Sequence, residues 1–307
     1  MERRCKHDRM SERMAPEFHL FLPQMRMSVE AIVERAVAAE AAGIDGIAFM
    51  DHLAPPLAEE HDMWEAVSIA AWVLARTSTL KVGHLVLADG FRHPAVLARQ
   101  VTTLDHASGG RFELGIGWGS VPDEFATYGI GSVEAPERVG RLAESLEIMT
   151  GLWSGGEVDH SGEHFTLVAA KQRPVPLDGI PITIGGVGRR TLELVARYAD
   201  WWNVPIHELH RLDDLRDRIG GARISVQAMV ALLPDESARE GVTEVCRRRF
   251  GSSAMGENLV IGTAVELAEH FDAEAGRGIE RFHLWFADFA PPGTLAGFAE
   301  VVEALRT

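Results

Sequence analysis

A chain of 307 residues, 46% hydrophobic and 24% charged, has ordinary globular composition and enough apolar side chains for a sizeable core. With 30 Lys and Arg against 45 Asp and Glu, the formal charge of −15 argues against nucleic acid and anionic membrane surfaces as partners. Two cysteines, Cys5 and Cys246, exclude a disulfide framework and a four-cysteine zinc site, so a reducing, cytoplasmic compartment is expected.

Residues 1–16 are charged, and the pair Arg3-Arg4 has no apolar segment behind it, so it does not read as a twin-arginine signal. They read as a disordered extension, or as an upstream start codon with Met10 or Met14 as alternatives. No apolar run approaches the ~20 residues that a membrane span needs.

From there strand-like and helix-like patterns alternate. An apolar run at 18–22 is the first strand. Residues 29–42 carry apolar side chains at 29, 32, 33, 36 and 37 on one helical face, with Ser28 as cap and Gly43 as stop. A strand at 44–50, a helix at 63–76 and a strand at 80–87 follow. After the breaker at 89–94 comes a helix over 94–106, with Pro94 in the first turn, where a missing N–H is harmless. A strand at 111–117 and a long helix at 136–153 precede a polar, Gly- and Pro-containing stretch, in which 157–160 and 163–165 suggest a hairpin. Strands at 180–185, 200–204, 224–232 and 281–286 alternate with helices at 189–198, 207–219, 265–275 and 294–305. Eight β/α units in one chain of this length predict a (β/α)₈ TIM barrel over a doubly wound sheet. Residues 17–307 form a single domain, with loop insertions at 54–62, 154–178 and 233–262.

Such barrels carry function at the carboxyl ends of their strands. That rule selects Asp51-His52, the segment 84–89, Gly117-Trp118-Gly119, Gly185-Gly186-Val187-Gly188, Trp202-Asn203 and 285–288. Asp51-His52 reads either as an acid/base pair, the carboxylate orienting the imidazole, or as a loop cap beside a solvent-touched histidine. The glycine run at 185–188 opens a helix, so it reads either as an anion site or as a tight turn. Gly115-Ile116-Gly117-Trp118-Gly119 lacks the third glycine of a dinucleotide fingerprint. It fits better as backbone approaching a planar ring, with Trp118 or the segment Asp123-Glu124-Phe125 shaping the pocket. Glu40 belongs to the opposite end of the barrel and is expected to hydrogen-bond structurally. His207 and His210 have no further Cys or His cluster, so no metal is expected. No Gly-x-Ser-x-Gly elbow occurs. His61, Met63 and Trp64 are candidates for walling a substrate pocket.

The segment Gly83 to Gly119, GHLVLADGFRHPAVLARQVTTLDHASGGRFELGIGWG, resembles the bacterial-luciferase-like family of flavin- and deazaflavin-dependent oxidoreductases. The segments at 38–53, 137–165 and 180–203 match in the same order. The resemblance implies a (β/α)₈ barrel enzyme with Asp51 and His52 against the reactive part of the cofactor ring. It implies a cofactor site from His84, Leu85, Val86, Ala88, Gly117, Trp118, Gly119, Asp123, Gly185, Gly186 and Val187. Leu85-Val86 stands where relatives often have a non-prolyl cis peptide, and His84 where they often have a small or hydroxyl residue. The Asp-His pair with RHP and GIGWG looks most like the branch using coenzyme F420, a 5-deazaflavin that passes a hydride to or from a small organic substrate. Alternatives are a monooxygenase using reduced FMN and a peroxyflavin, and a barrel that binds flavin without turnover. The family also implies a homodimer and a separate cofactor reductase. The segment after the sixth strand has no lysine that would suggest a sugar-phosphate substrate.

Overall fold

A computed structural model describes residues 15–56, 58, 60–251 and 253–307, so the expected disordered extension, up to residue 14, lies outside the described residues. Its strands are β1 (Glu17–Phe21), β2 (Gly46–Phe49), β3 (Lys81–His84), β4 (Leu87–Ala88), β5 (Leu114–Gly117), β6 (Glu157–Ser161), β7 (Thr166–Lys171), β8 (Ile182–Gly185), β9 (Trp201–Val204), β10 (Arg223–Leu232), β11 (Leu259–Gly262) and β12 (Arg281–Phe286). One sheet runs β3-β2-β1-β12-β10-β9-β8-β5-β4. It closes on itself because Val82 of β3 bridges Phe112 just ahead of β5, while β4 pairs Leu87 and Ala88 with Ile116 and Gly117. β3 and β4 are therefore one stave, and the eight staves make the expected (β/α)₈ barrel.

The helices follow from amphipathic spacing. Val29–Ala41 buries Ile32, Val33, Ala36 and Ala39, and the Ser28 hydroxyl accepts the Ala31 N–H at 3.2 Å. Ala264–Gly276 starts with a capping box between Thr263 and Glu266. Glu40 is where the lower end of the barrel needs an acceptor. Its Oε1 takes the backbone N–H groups of Ser78 (2.8 Å), Thr79 (2.5 Å) and Leu80 (2.9 Å) at the entry to β3. Burial alone would raise this carboxyl, but those donors hold it down at about 2.

Three regions depart from expectation. The strand expected at 80–87 is split, because the peptide Leu85–Val86 is cis and separates β3 from β4. The helix expected at 207–219 is instead a 3₁₀ turn (Ile206–Arg211), one α turn (Leu212–Leu215) and another 3₁₀ turn (Arg216–Arg218). Its buried or half-buried apolar residues Ile206, Leu209, Leu212 and Leu215 are spaced by three, the period of a 3₁₀ helix, before Ile219 follows at four. The insertion 233–262 is mostly regular, with a helix Arg239–Phe250 and strand β11. β11 pairs the far half of β10, Met229 to Leu232, whereas β9 pairs only the near half. The long strand thus passes between different neighbours at its two ends. The expected hairpin exists as β6 and β7, with 163–165 in its turn.

Candidate active site

A cavity of about 430 Å³ opens at the carboxyl ends of β2, β4, β5, β8 and β9. Asp51 and His52 enter it from the segment after β2. Gln24 secures that exit: its side-chain amide donates to Met50 O (2.6 Å) and accepts Met50 N–H (3.2 Å). The two neighbours then separate in role. The buried Asp51 carboxylate accepts the Ala88 N–H through Oδ2 (2.8 Å). It also takes a two-pronged contact from Arg92, with Nη1 to Oδ2 at 2.6 Å and Nη2 to Oδ1 at 3.0 Å. Asp51 thereby ties the end of β2 to β4.

The carboxylate on His52 is Glu124, 72 residues along the chain, at 2.9 Å from Nδ1. The expected orienting contact from Asp51 is not made. Glu124 is carried by the short helix Pro122–Tyr128 and also accepts the backbone N–H groups of Leu53 and, at 3.4 Å, Ala54. Burial pushes the Glu124 carboxyl up, but the His52 contact and these N–H donors outweigh it and hold it below the usual carboxylate range. An ionised Glu124 accepts only, so Nδ1 of His52 donates to it, leaving Nε2 free of that contact.

Leu85, Val86 and Ala88 line the cavity together with Gly117, Trp118 and Gly119 from the neighbouring strand β5 and its exit. Glycine is required there. A Cβ on Gly115 would lie 1.7 Å from His84 O, and one on Gly117 2.8 Å from Val86 Cγ2. At the far end lie Gly185, Gly186, Val187 and Gly188. Gly186 has φ +115°, its N–H reaches Asn203 O (3.1 Å), and its carbonyl accepts Trp202 Nε1–H (2.8 Å). The helix Arg189–Tyr198 starts there without a side-chain cap, leaving first-turn N–H groups beside the cavity.

Eleven of the thirteen expected residues line this one cavity; His84 and Asp123 do not. His84 is 3% exposed, turned away to Ala66 O (Nε2 at 3.1 Å), and burial pushes its imidazole down to about 4. Asp123 is on the exposed side of its helix, one residue and about 100° from Glu124, which points in. Residues 285–288, His61, Met63 and Trp64 also stay outside the cavity, whereas His207, Glu208 and Gln227 border it. Glu124 and Arg92 had no pairing signal in the sequence. Among the described residues no cluster of His, Cys, Asp or Glu could hold a metal ion, and no helix is long and apolar enough to cross a membrane.

Known proteins agree with this architecture. The fold is similar to an F420-dependent secondary alcohol dehydrogenase bound to an F420-acetone adduct (TM-score 0.81, 20% identity, 96% of this chain and 100% of that one). It is also similar to the EDTA monooxygenase of Chelativorans sp. BNC1 (TM-score 0.81, 15% identity, 94% of each chain). In sequence, 173 residues are 40% identical to an F420-dependent glucose-6-phosphate dehydrogenase of Mycolicibacterium fortuitum, covering 55% of this chain and 49% of that protein. The Rhodococcus erythropolis enzyme of the same name is 39% identical over the same length. The chain thus spans about half the length of the curated relatives it matches. The family model for luciferase-like monooxygenases matches residues 14–275, so the chain belongs to the luciferase-like monooxygenase family.

Proposed function

We propose that this protein is an oxidoreductase that binds coenzyme F420 along the rim cavity and moves a hydride between the deazaflavin and a small organic substrate. The observation that carries this reading is the His52–Glu124 pair at the edge of an apolar slot that ends in a capless helix start. Leu85, Val86, Ala88, Gly117 and Trp118 would hold a flat ring between them, a surface of apolar side chains and bare backbone. The N–H groups from Val187 to Thr191 would take the phosphate of the cofactor side chain. When bound, the deazaflavin supplies a carbon centre suited to two-electron transfer.

The protein's part is a proton. Nε2 of His52 takes it from a substrate hydroxyl, or returns it to a carbonyl oxygen, and Glu124 stabilises the imidazolium through Nδ1. Asp51 fixes the exit of β2 through Arg92, and we assign it a positioning role. At the substrate end Pro205, His207, Glu208 and Gln227 include no lysine or arginine, and Glu208 is paired with Arg211 (3.0 Å). That lining suits an uncharged alcohol or carbonyl compound better than a phosphorylated sugar. A homodimer through the groove of Val33, Val37 and Trp72, and resupply of the cofactor by a separate enzyme, belong to the same reading.

The test is titration of the purified protein with oxidised and reduced F420 and FMN, following fluorescence quenching and oxygen uptake. Saturable F420 binding without oxygen consumption is expected. Tight FMN binding with rapid oxygen uptake would favour a peroxyflavin monooxygenase, and binding without turnover of any alcohol or carbonyl substrate would favour a non-catalytic barrel.

A further inference from the structure

Behind the Trp118 side of the rim lies a second cavity of about 160 Å³, bordered by Asp89, Ser132, Arg138, Arg141 and His164, with Phe125 shared between the two. Arg138 is in the first turn of the helix Ala135–Trp153 and only 4% exposed. Its guanidinium lies over Trp118 (5.1 Å to the ring centroid) and Phe125 (4.9 Å). Ring faces satisfy the flat side of a guanidinium, but its five N–H donors lie at the edge. Three of those five are unmet: Nε and Nη1 are buried without a hydrogen-bond partner. Buried charges in native proteins are almost always paired, so an edge left bare beside a cavity calls for a partner from outside the chain.

The neighbouring groups are not that partner. Arg141 is engaged, its Nη1 donating to Asp89 O (2.7 Å) and Oδ2 (2.6 Å) and its Nη2 to Arg92 O (3.1 Å). Asp89 is thus committed to Arg141, although its Oδ1 is buried without a partner. Glu137, also on the cavity wall, is an exposed residue at the solvent edge. Burial pushes the Asp89 carboxyl up, against the opposing pull of Arg141 and Ser145. Burial also lowers Arg138, and Glu134 offsets this only in part.

We infer that this second cavity is an anion site, in which the edge of Arg138 holds one oxyanion group, a phosphate or a carboxylate. The volume admits a tetrahedral oxyanion, being several times the ~30 Å³ share of one water. The group comes either from a free small anion or from the anionic side chain of the cofactor proposed above, passing Phe125; only the second source rests on that proposal.

The experiment titrates the protein with sodium phosphate and sodium acetate at constant ionic strength, reading heat and thermal midpoint, for the wild type, Arg138→Met and Arg138→Lys. The Met variant keeps an apolar stem over both rings and removes the charge. Saturable binding that falls at least tenfold in Arg138→Met and less in Arg138→Lys supports the site. A second arm measures intact F420 against the chromophore stripped of its side chain. If the cofactor's own chain occupies the site, Arg138→Met weakens only the intact form and phosphate competes with it. If a free anion does, both forms bind as in the wild type while phosphate binding is still lost. No saturable anion binding together with unchanged cofactor affinity, or phosphate binding equal in all three proteins, overturns the inference.

Discussion

At the scale of single residues the site is a division of labour between two carboxylates, one within the Asp51-His52 dipeptide and one that meets it from a helix far along the chain. Glu124 faces His52, and Asp51 faces Arg92. Their substitutions should separate. His52→Ala is expected to lower kcat by about 10²- to 10⁴-fold, the usual worth of a positioned acid/base group, with cofactor Kd changed less than threefold. Glu124→Gln should lower kcat by at least tenfold, because an amide can donate to Nδ1 and no longer fixes the tautomer; steady-state kinetics beside cofactor titration reads both. An Asp51→Asn variant should fail differently. Arg92 and Asp51 are both largely buried, so the variant should lower the urea midpoint, by less than a fully orphaned charge would because Arg92 keeps Glu65 at 2.6 Å. Wild-type kcat in Glu124→Gln would remove the proton route argued above.

Among the elements, β5 is the most constrained, because it passes beneath the Leu85–Val86 corner with no room for a side chain at Gly115 or Gly117. Gly117→Ala is expected to weaken cofactor binding at least tenfold by pushing Val86 into the slot, and Gly117→Ala combined with Val86→Ala should recover most of it. A double variant no better than the single one would mean that the contact with Val86 is not what closes the slot. Much of this element-level pattern is legible in the chain: the β/α alternation, the glycines and the rim position of Asp51-His52 all follow from local spacing and turn chemistry. Glu40 is legible too, since a carboxylate at a helix end facing the lower loops meets backbone donors and, here, the Thr79 hydroxyl. What local pattern cannot carry is pairing at a distance. Glu124 finds His52 across 72 residues, Arg92 finds Asp51 across 41, and nothing in either segment advertises the other. The segment from Ile206 to Arg218 reads as an α-helix by composition but is broken into two 3₁₀ stretches around one α turn, its apolar residues being spaced by three.

Over the whole molecule, the barrel is held at its lower end by charges buried in its interior. Arg281 of β12 donates to Glu113 (2.6 and 3.0 Å), ahead of β5, and to Glu17 of β1 (2.5 and 3.0 Å). β5 and β12 are four staves apart, so this contact crosses the barrel. Beside it, His19 and His283 meet edge to face at 5.3 Å, both buried, and His84 is buried higher up in the same wall. Burial pushes all three imidazoles below 6.5, aided at His19 by Arg281 and at His283 by His19 and Arg281; His84 sits at about 4. The sign follows. In the unfolded chain these histidines take protons near pH 6.5, in the fold they do so only at lower pH, and so the unfolded state binds more protons between. Their contribution is complete above about pH 6.5 and is lost as pH falls, at about 1.4 kcal/mol per pH unit for each histidine until its folded value is passed. Glu113 adds a loss in the same direction only below the ordinary carboxylate range, because Arg281 outweighs its burial and holds it low. The window from pH 6.5 to 5 therefore belongs to the histidines. Urea midpoints measured across it should fall steeply in the wild type. His283→Leu should flatten that slope, since it removes one of the depressed imidazoles. His84→Asn should do the same from a different place in the wall. Slopes equal to the wild type in both variants would mean that these imidazoles are already protonated inside the fold.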